Sequence, residues 1–221
     1  MLLSTPLTSL NRIGTIRASH LRRLDLETVG DLLLYFPFRY DDFRSTVQIK
    51  DLQAGQTVTI VGEIQLIQNK RSPRRRMYIT EALVSDGTEM LRVVWFNQPF
   101  LTKNLRVGET ISLAGKVTED FSGLLMQSPV YEKTHQGQLL HTQGLVPIYH
   151  LTSNISQKQI RSAIKQIIGL AESVDDFVPA EVKKKYDLLP LAQAIESVHF
   201  PKESTDLEKA KERLGFNELY L

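Results

Sequence analysis

The sequence predicts an α+β protein in which a five-stranded β-barrel is flanked by N-terminal and C-terminal helical segments. Three observations carry that prediction. Apolar residues recur at helical spacing as far as Pro37, the period changes to two from Thr46 onward, and it returns to helical after Leu145-Val146-Pro147.

In the first segment Ile13, Ile16, Leu21, Leu24, Val29, Leu32, Leu33 and Phe36 fall at helical spacing, with Gly14 and Gly30 as punctuation and Thr28 close to a second helix start. Short helices around tight turns are expected. Phe36-Pro37 ends them, because the residue before proline is pushed out of the helical region. Strand candidates then cover residues 57–68, 77–85, 89–96, 110–117 and 124–131, parted by turn residues at Asp86-Gly87, Gly108 and Ser122-Gly123. One helical break, residues 99–104, separates the third from the fourth. Five strands with a single helix at that place is the layout of the OB-fold, whose open face and loops hold oligonucleotides or oligosaccharides. Gly62 and Gly115 suit the bends of such a small barrel. Beyond it Ser156 reads as the N-cap of a helix carrying Ile160, Ile164, Ile167 and Ile168, and helices over 181–186, 190–198 and 207–214 follow. The division expected is 1–45, 46–140 and 141–221.

Composition narrows the functional classes. A chain of 221 residues, 42% hydrophobic and 24% charged, is large enough for a real core, and no apolar run reaches bilayer length. The N-terminus lacks the pattern of a signal peptide, so a cytoplasmic location is the expectation. With no cysteine, disulfides, Cys-ligated zinc and thiol catalysis are excluded. There is no P-loop, since Gly115-Lys116 runs on into Val117, and the five histidines show no metal-ligand spacing. Carboxylate pairs such as Asp41-Asp42 and Asp175-Asp176 read as helix or turn caps. No catalytic residue, metal or cofactor is expected, and the chain reads as a monomeric binding module or a piece of something larger.

Trp95-Phe96-Asn97-Gln98-Pro99-Phe100-Leu101 places rings where a strand stops and a helix starts. Phe96 and Phe100, four apart across that corner, form either a platform for unpaired bases or part of the core. A base stacked on an aromatic ring is worth about 1–3 kcal/mol. Lys70-Arg71-Ser72-Pro73-Arg74-Arg75-Arg76 puts five basic residues into seven positions, with no acidic residue between Ile64 and Thr80. In an OB layout this loop joins the first two strands. Lys70, Arg71, Arg74, Arg75 and Arg76, with Lys103 in the short helix, are therefore the candidates for phosphate contact, against the plainer reading of a solvated hairpin tip. The net charge of +2 alone argues nothing. Gly14 and its flanking helices look like half of a helix-hairpin-helix, although Arg12 stands where its first glycine is expected, and Lys183-Lys184-Lys185 reads as a solvated helix face.

Seven pieces in order resemble the N-terminal wedge region of the bacterial RecG branched-DNA helicases. They are Asp31-Leu32-Leu33-Leu34-Tyr35-Phe36-Pro37-Phe38-Arg39-Tyr40, Ser85-Asp86-Gly87-Thr88, the Trp95 to Leu101 stretch, Pro147-Ile148-Tyr149-His150-Leu151-Thr152, Ser156-Gln157-Lys158, His199-Phe200-Pro201, and residues 210–219. The resemblance implies a wedge that splits duplex arms at stalled replication forks and Holliday junctions, in recombination and repair. Phe96 and Phe100 match the pair that stacks on bases at the branch, the second being Phe where Tyr also occurs. ATP and magnesium are implied for a parent motor, with residues from about 145 onward linking wedge to motor. Branched or single-stranded DNA is the implied partner. Two rival readings stay open: an OB groove holding the acidic tail of a single-strand-binding protein, and an RNA-binding OB domain using Asn97 and Gln98.

Overall fold

The structure, a computed structural model, describes residues 1–72, 77–134, 142 and 144–220. Its elements are α1 (Thr15–Leu21), α2 (Val29–Leu33), β1 (Arg39–Phe43), β2 (Thr57–Arg71), β3 (Tyr78–Ser85), β4 (Met90–Phe96), α3 (Leu101–Asn104), β5 (Thr110–Asp120), β6 (Gly123–Gln127), β7 (Val130–Lys133), β8 (Gly144–Ile148), α4 (Gln157–Ile167), α5 (Ala180–Lys185), α6 (Leu191–His199) and α7 (Ser204–Tyr220). The chain divides into two compact units, residues 42–144 and residues 1–41 with 145–221. The two terminal helical segments share one unit, where the sequence reading gives them as separate segments on either side of the strands.

The strand unit is held together by β2. Its first half pairs with β5, from Thr57 opposite Lys116 to Glu63 opposite Thr110, and its second half pairs with β3, from Glu63 opposite Ser85 to Arg71 opposite Tyr78. β3 pairs with β4, β4 runs parallel to β6, and β6 returns to β5, so the pairings close in a ring. This is the OB arrangement the spacing predicts. A register shift between Ile64 and Leu66 marks the point where β2 changes partner. Gly62 is needed there for space: a Cβ would lie 2.7 Å from the Ser85 carbonyl oxygen and 2.7 Å from Val84 Cγ1. Gly115 likewise makes room for Pro129, whose Cβ would lie 3.2 Å away.

Alternation along the strands sends Val58, Ile60, Ile64, Ala82, Val84, Leu91, Val93, Trp95, Ile111 and Leu113 inward, and Leu101 of α3 and Leu105 just after it join the same core. The expected fifth strand is two strands. Ser128 adopts a left-handed φ of 47° and Pro129 lacks an N–H, so the ladder breaks between β6 and β7, which then pair with different stretches of β5. The sequence reading also missed β1 and β8, which form a two-stranded sheet of their own.

In the helical unit α2 and α4 start at Thr28 and Ser156, each in a full capping box, with Asp31 and Gln159 as the reciprocal partners. Ile160, Ile164 and Ile167 pack with Leu7, Leu21, Val29, Leu32 and Leu33 in one core. Two buried polar side chains of this unit are firmly paired. Arg213, wholly buried, donates to the Asp176 carboxylate at 2.5 Å and to the Leu189 carbonyl at 2.8 Å. Asp176 also accepts from Lys183 at 2.7 Å and from the amide of Leu191 at the start of α6, so the cap expected at this aspartate is also an ion pair. His199 is wholly buried, with Nε2 2.7 Å from the Leu33 carbonyl and Nδ1 2.9 Å from the Tyr149 hydroxyl. A carbonyl only accepts, so Nε2 carries the proton and Nδ1 accepts from Tyr149.

Burial lowers the His199 pKa to about 4, against the Leu33 hydrogen bond, which raises it. The stability His199 provides is therefore complete above the ordinary pKa of about 6.5 and is lost as pH falls toward 4, where the unfolded chain takes up a proton that the folded one resists. The advantage of the parent over H199Q in urea unfolding is expected to shrink by about 3 kcal/mol across that window. A difference that is constant with pH contradicts this.

Candidate nucleic-acid interface

The end of β4 is where the sequence places its rings, and the structure shows how the corner is built. Trp95 is the inward residue, 1% exposed, and donates from Nε1 to the Pro129 carbonyl at 3.1 Å while meeting Tyr131 edge-on. The next side chain must point outward. Phe96 is accordingly 37% exposed and Phe100, at the N-cap of α3, 49% exposed, and neither belongs to the barrel core. Among the described residues neither ring meets another aromatic ring. Both rings are partly exposed and outside the core cluster, against the reading that packs both in the core.

Asn97 turns the chain with a left-handed φ of 55°, and its amide donates to the Tyr78 carbonyl at 2.8 Å. A polar knot that the sequence reading did not find then fastens the corner. Asn69 Nδ2 donates to the Pro99 carbonyl and to Thr102 Oγ1, both at 2.9 Å. The buried Thr80 Oγ1 lies 2.7 Å from Asn69 Oδ1 and 2.9 Å from the Gln98 carbonyl. Because β2, β3 and β4 are in register here, with Asn69 opposite Thr80 and Thr80 opposite Trp95, three strands grip one turn. An isolated Asn in a strand is too common a feature to flag this.

The same register gathers the cationic candidates at this end. Lys70 and Phe96 both lie opposite Ile79, Ser72 donates to Met77 at 2.9 Å to close the hairpin neck, and Lys103 is exposed three residues after Phe100, on the same side of α3. Lys70 Nζ sits 2.5 Å from Glu81, and the Arg71 guanidinium lies 5.9 Å from the ring of the half-exposed Tyr78, a neighbour absent from the sequence reading. Arg74, Arg75 and Arg76 lie outside the described residues. Below them Glu81 also faces Arg92, and Arg92 pairs with Asp120, so a line of alternating charge crosses the outer face of the strands.

Elsewhere, Arg12 does adopt the left-handed φ of 65° that a hairpin glycine would take, but α1 behind it has only seven residues. Lys183 is tied to Asp176 and Lys185 lies over Tyr186. No group of acidic or histidine side chains able to hold a metal occurs among the described residues.

A ring of paired strands with partly exposed rings beside the neck residues Lys70 and Arg71 at one end defines an OB-fold. Comparison with known proteins specifies it further: the RecG wedge domain model matches residues 6–171, and the chain belongs to that family. It is 34% identical to the ATP-dependent DNA helicase RecG of Thermotoga maritima over 99% of this chain and 28% of that protein. It is 30% identical to the RecG helicase of Streptococcus pneumoniae over 100% of this chain and 32% of that one. A solved structure of RecG bound to a three-way DNA junction superposes with a TM-score of 0.82 at 33% identity, covering 100% of this chain and 30% of the other. The chain thus spans less than a third of the length of these relatives.

Asn69→Ala, which removes the knot and leaves both rings in place, is expected to cost on the order of 1–3 kcal/mol in unfolding free energy. It is also expected to speed amide hydrogen exchange at Leu101, Lys103 and Asn104 selectively. Unchanged exchange there means that Asn69 does not hold the corner.

Proposed function

We propose that this chain binds branched DNA as the wedge of a RecG-like, ATP-dependent helicase, with Phe96 and Phe100 stacking on bases left unpaired where duplex arms meet. The observation that carries the reading is the pair of partly exposed rings at the same barrel end as Lys70 and Arg71. Neither ring belongs to the barrel core, and a nucleobase has two faces that match an exposed ring. The junction bound by the RecG relative supports the same class of ligand.

Each group has a distinct task. The rings hold bases without regard to sequence. Arg71, Lys103 and the hairpin cations Arg74, Arg75 and Arg76 hold phosphates, while Lys70, already beside Glu81, fixes the neck of the hairpin as well as adding charge. The knot at Asn69 and Thr80 keeps the rings from folding back when duplex arms are pressed against them. Strand separation needs force, which a motor lying elsewhere in the longer protein supplies with ATP and magnesium; this chain provides the surface on which the arms divide. The setting is cytoplasmic and the acting unit a monomer.

Phe96→Ala and Phe100→Ala are each expected to weaken binding to a forked DNA about 5- to 150-fold, with little change on linear duplex. The melting temperature should hold, since neither ring is core, whereas truncating a core Phe costs about 3–5 kcal/mol. Replacing Arg74, Arg75 and Arg76 with Ser should flatten the log–log salt dependence by roughly 0.7–0.9 for each phosphate that is no longer neutralised. Early melting of the Phe variants, or parental fork affinity, overturns the reading.

A further inference from the structure

Two cations stand at the neck of the β2–β3 hairpin, and they are held differently. Lys70 Nζ lies 2.5 Å from Glu81, so its charge is already matched. Arg71 makes no ion pair among the described residues. Its guanidinium lies instead over the ring of Tyr78, 5.9 Å from the ring centre, which is within the reach of a cation–π contact. Both side chains are exposed, Tyr78 at 45%.

Register makes this contact a built one. Arg71 and Tyr78 are the last opposed pair of the β2–β3 ladder, so their side chains leave the same face. Asn69 and Thr80 stand two residues before and after them on that face, and they bond the segment from Gln98 to Thr102 that carries Phe100. The Tyr78 carbonyl accepts from the Asn97 amide at 2.8 Å, which ties the pair to the turn between the two phenylalanines. Phe96, opposite Ile79, leaves the other face. The cation and its ring therefore lie on the Phe100 side of the corner.

A guanidinium resting on a ring keeps its in-plane N–H donors available, whereas one forked onto a carboxylate has two of them engaged. The ring also restrains a long side chain that would otherwise sample many rotamers, so less ordering remains to be done on binding. We infer that Tyr78 is a positioning residue for DNA, holding the Arg71 guanidinium ready for the phosphate of a nucleotide whose base rests on the Phe100 side of the corner. The inference rests on the proposed function and adds to it an uncharged residue that acts through a charge. With a guanidinium over its ring, Tyr78 has less surface to offer a base, which argues against a stacking role of its own.

The test measures binding of the whole chain to a forked DNA by fluorescence anisotropy over a series of salt concentrations, in a cycle of Tyr78→Leu, Arg71→Ala and the double variant. Arg71→Ala is expected to flatten the log–log salt slope by roughly 0.7–0.9. Tyr78→Leu is expected to weaken binding about 2- to 5-fold, to flatten the slope in the same direction, and to add nothing on top of Arg71→Ala. Tyr78→Phe is expected to bind as the parent does, because the ring and not the hydroxyl holds the guanidinium. Parental affinity and slope for Tyr78→Leu overturn the inference and leave the pair as a fastening of the hairpin. Equal weakening by Tyr78→Leu with and without Arg71 overturns it as well, since Tyr78 then meets DNA directly. Phe96→Ala and Phe100→Ala measured alongside keep the two proposals apart: if they weaken fork binding and Tyr78→Leu does not, only the role of Tyr78 falls. If neither Phe variant nor Arg71→Ala changes fork affinity, the wedge reading falls with it.

Discussion

The change of partner by β2 at Gly62 is the constraint on which the barrel depends. One strand of fifteen residues serves two neighbours, and that is possible only where the β3 end of the sheet approaches the β2 backbone closely enough to exclude a side chain. The closure has two consequences. Ring pairing gives each of β2 to β6 at least two strand partners. It also fixes which loops share an end: the hairpin after β2 and the corner after β4 are brought together by register.

The corner shows how a barrel holds apolar groups in water. Burying a Phe side chain is worth about 1.5–3 kcal/mol, so two outward rings would be expected to collapse onto the surface unless the backbone forbids it. Here it does. Asn97 is held in a left-handed turn, and Asn69, Thr80 and Thr102 bond the following segment to β2 and β3. The turn between β3 and β4 uses similar chemistry at the other end. Asp86 accepts from the amides of Ile49 and Thr88 at 2.7 and 2.9 Å, and although burial opposes ionisation, these bonds hold its pKa at about 2. Polar groups in both places set the geometry of the turn.

Much of this was legible in the sequence because it rests on local rules. Period-two alternation, the turn at Asp86-Gly87 and the Ser156 cap each report a backbone preference within a few residues, and each element lies where that preference puts it. What escaped depends on distant partners. The break at Ser128-Pro129 looks like a continuous strand until β6 and β7 are seen to pair with separate parts of β5. The sharing of one core by the two terminal segments shows only when Leu32 and Ile164 are found packed together. At the site, Phe96 and Phe100 could be nominated from sequence, but their exposure and the role of Asn69 are properties of register and could not.

The central claim is that the Phe96–Phe100 corner takes unpaired bases at a DNA branch, and base-level fluorescence tests it most directly. A 2-aminopurine at the unpaired position nearest the branch of a fork should lose emission on binding the chain, as its face is covered by a ring, while the same probe about ten base pairs into a duplex arm should not respond. Equal responses at the two positions, or none at the branch under saturating protein, would contradict the account.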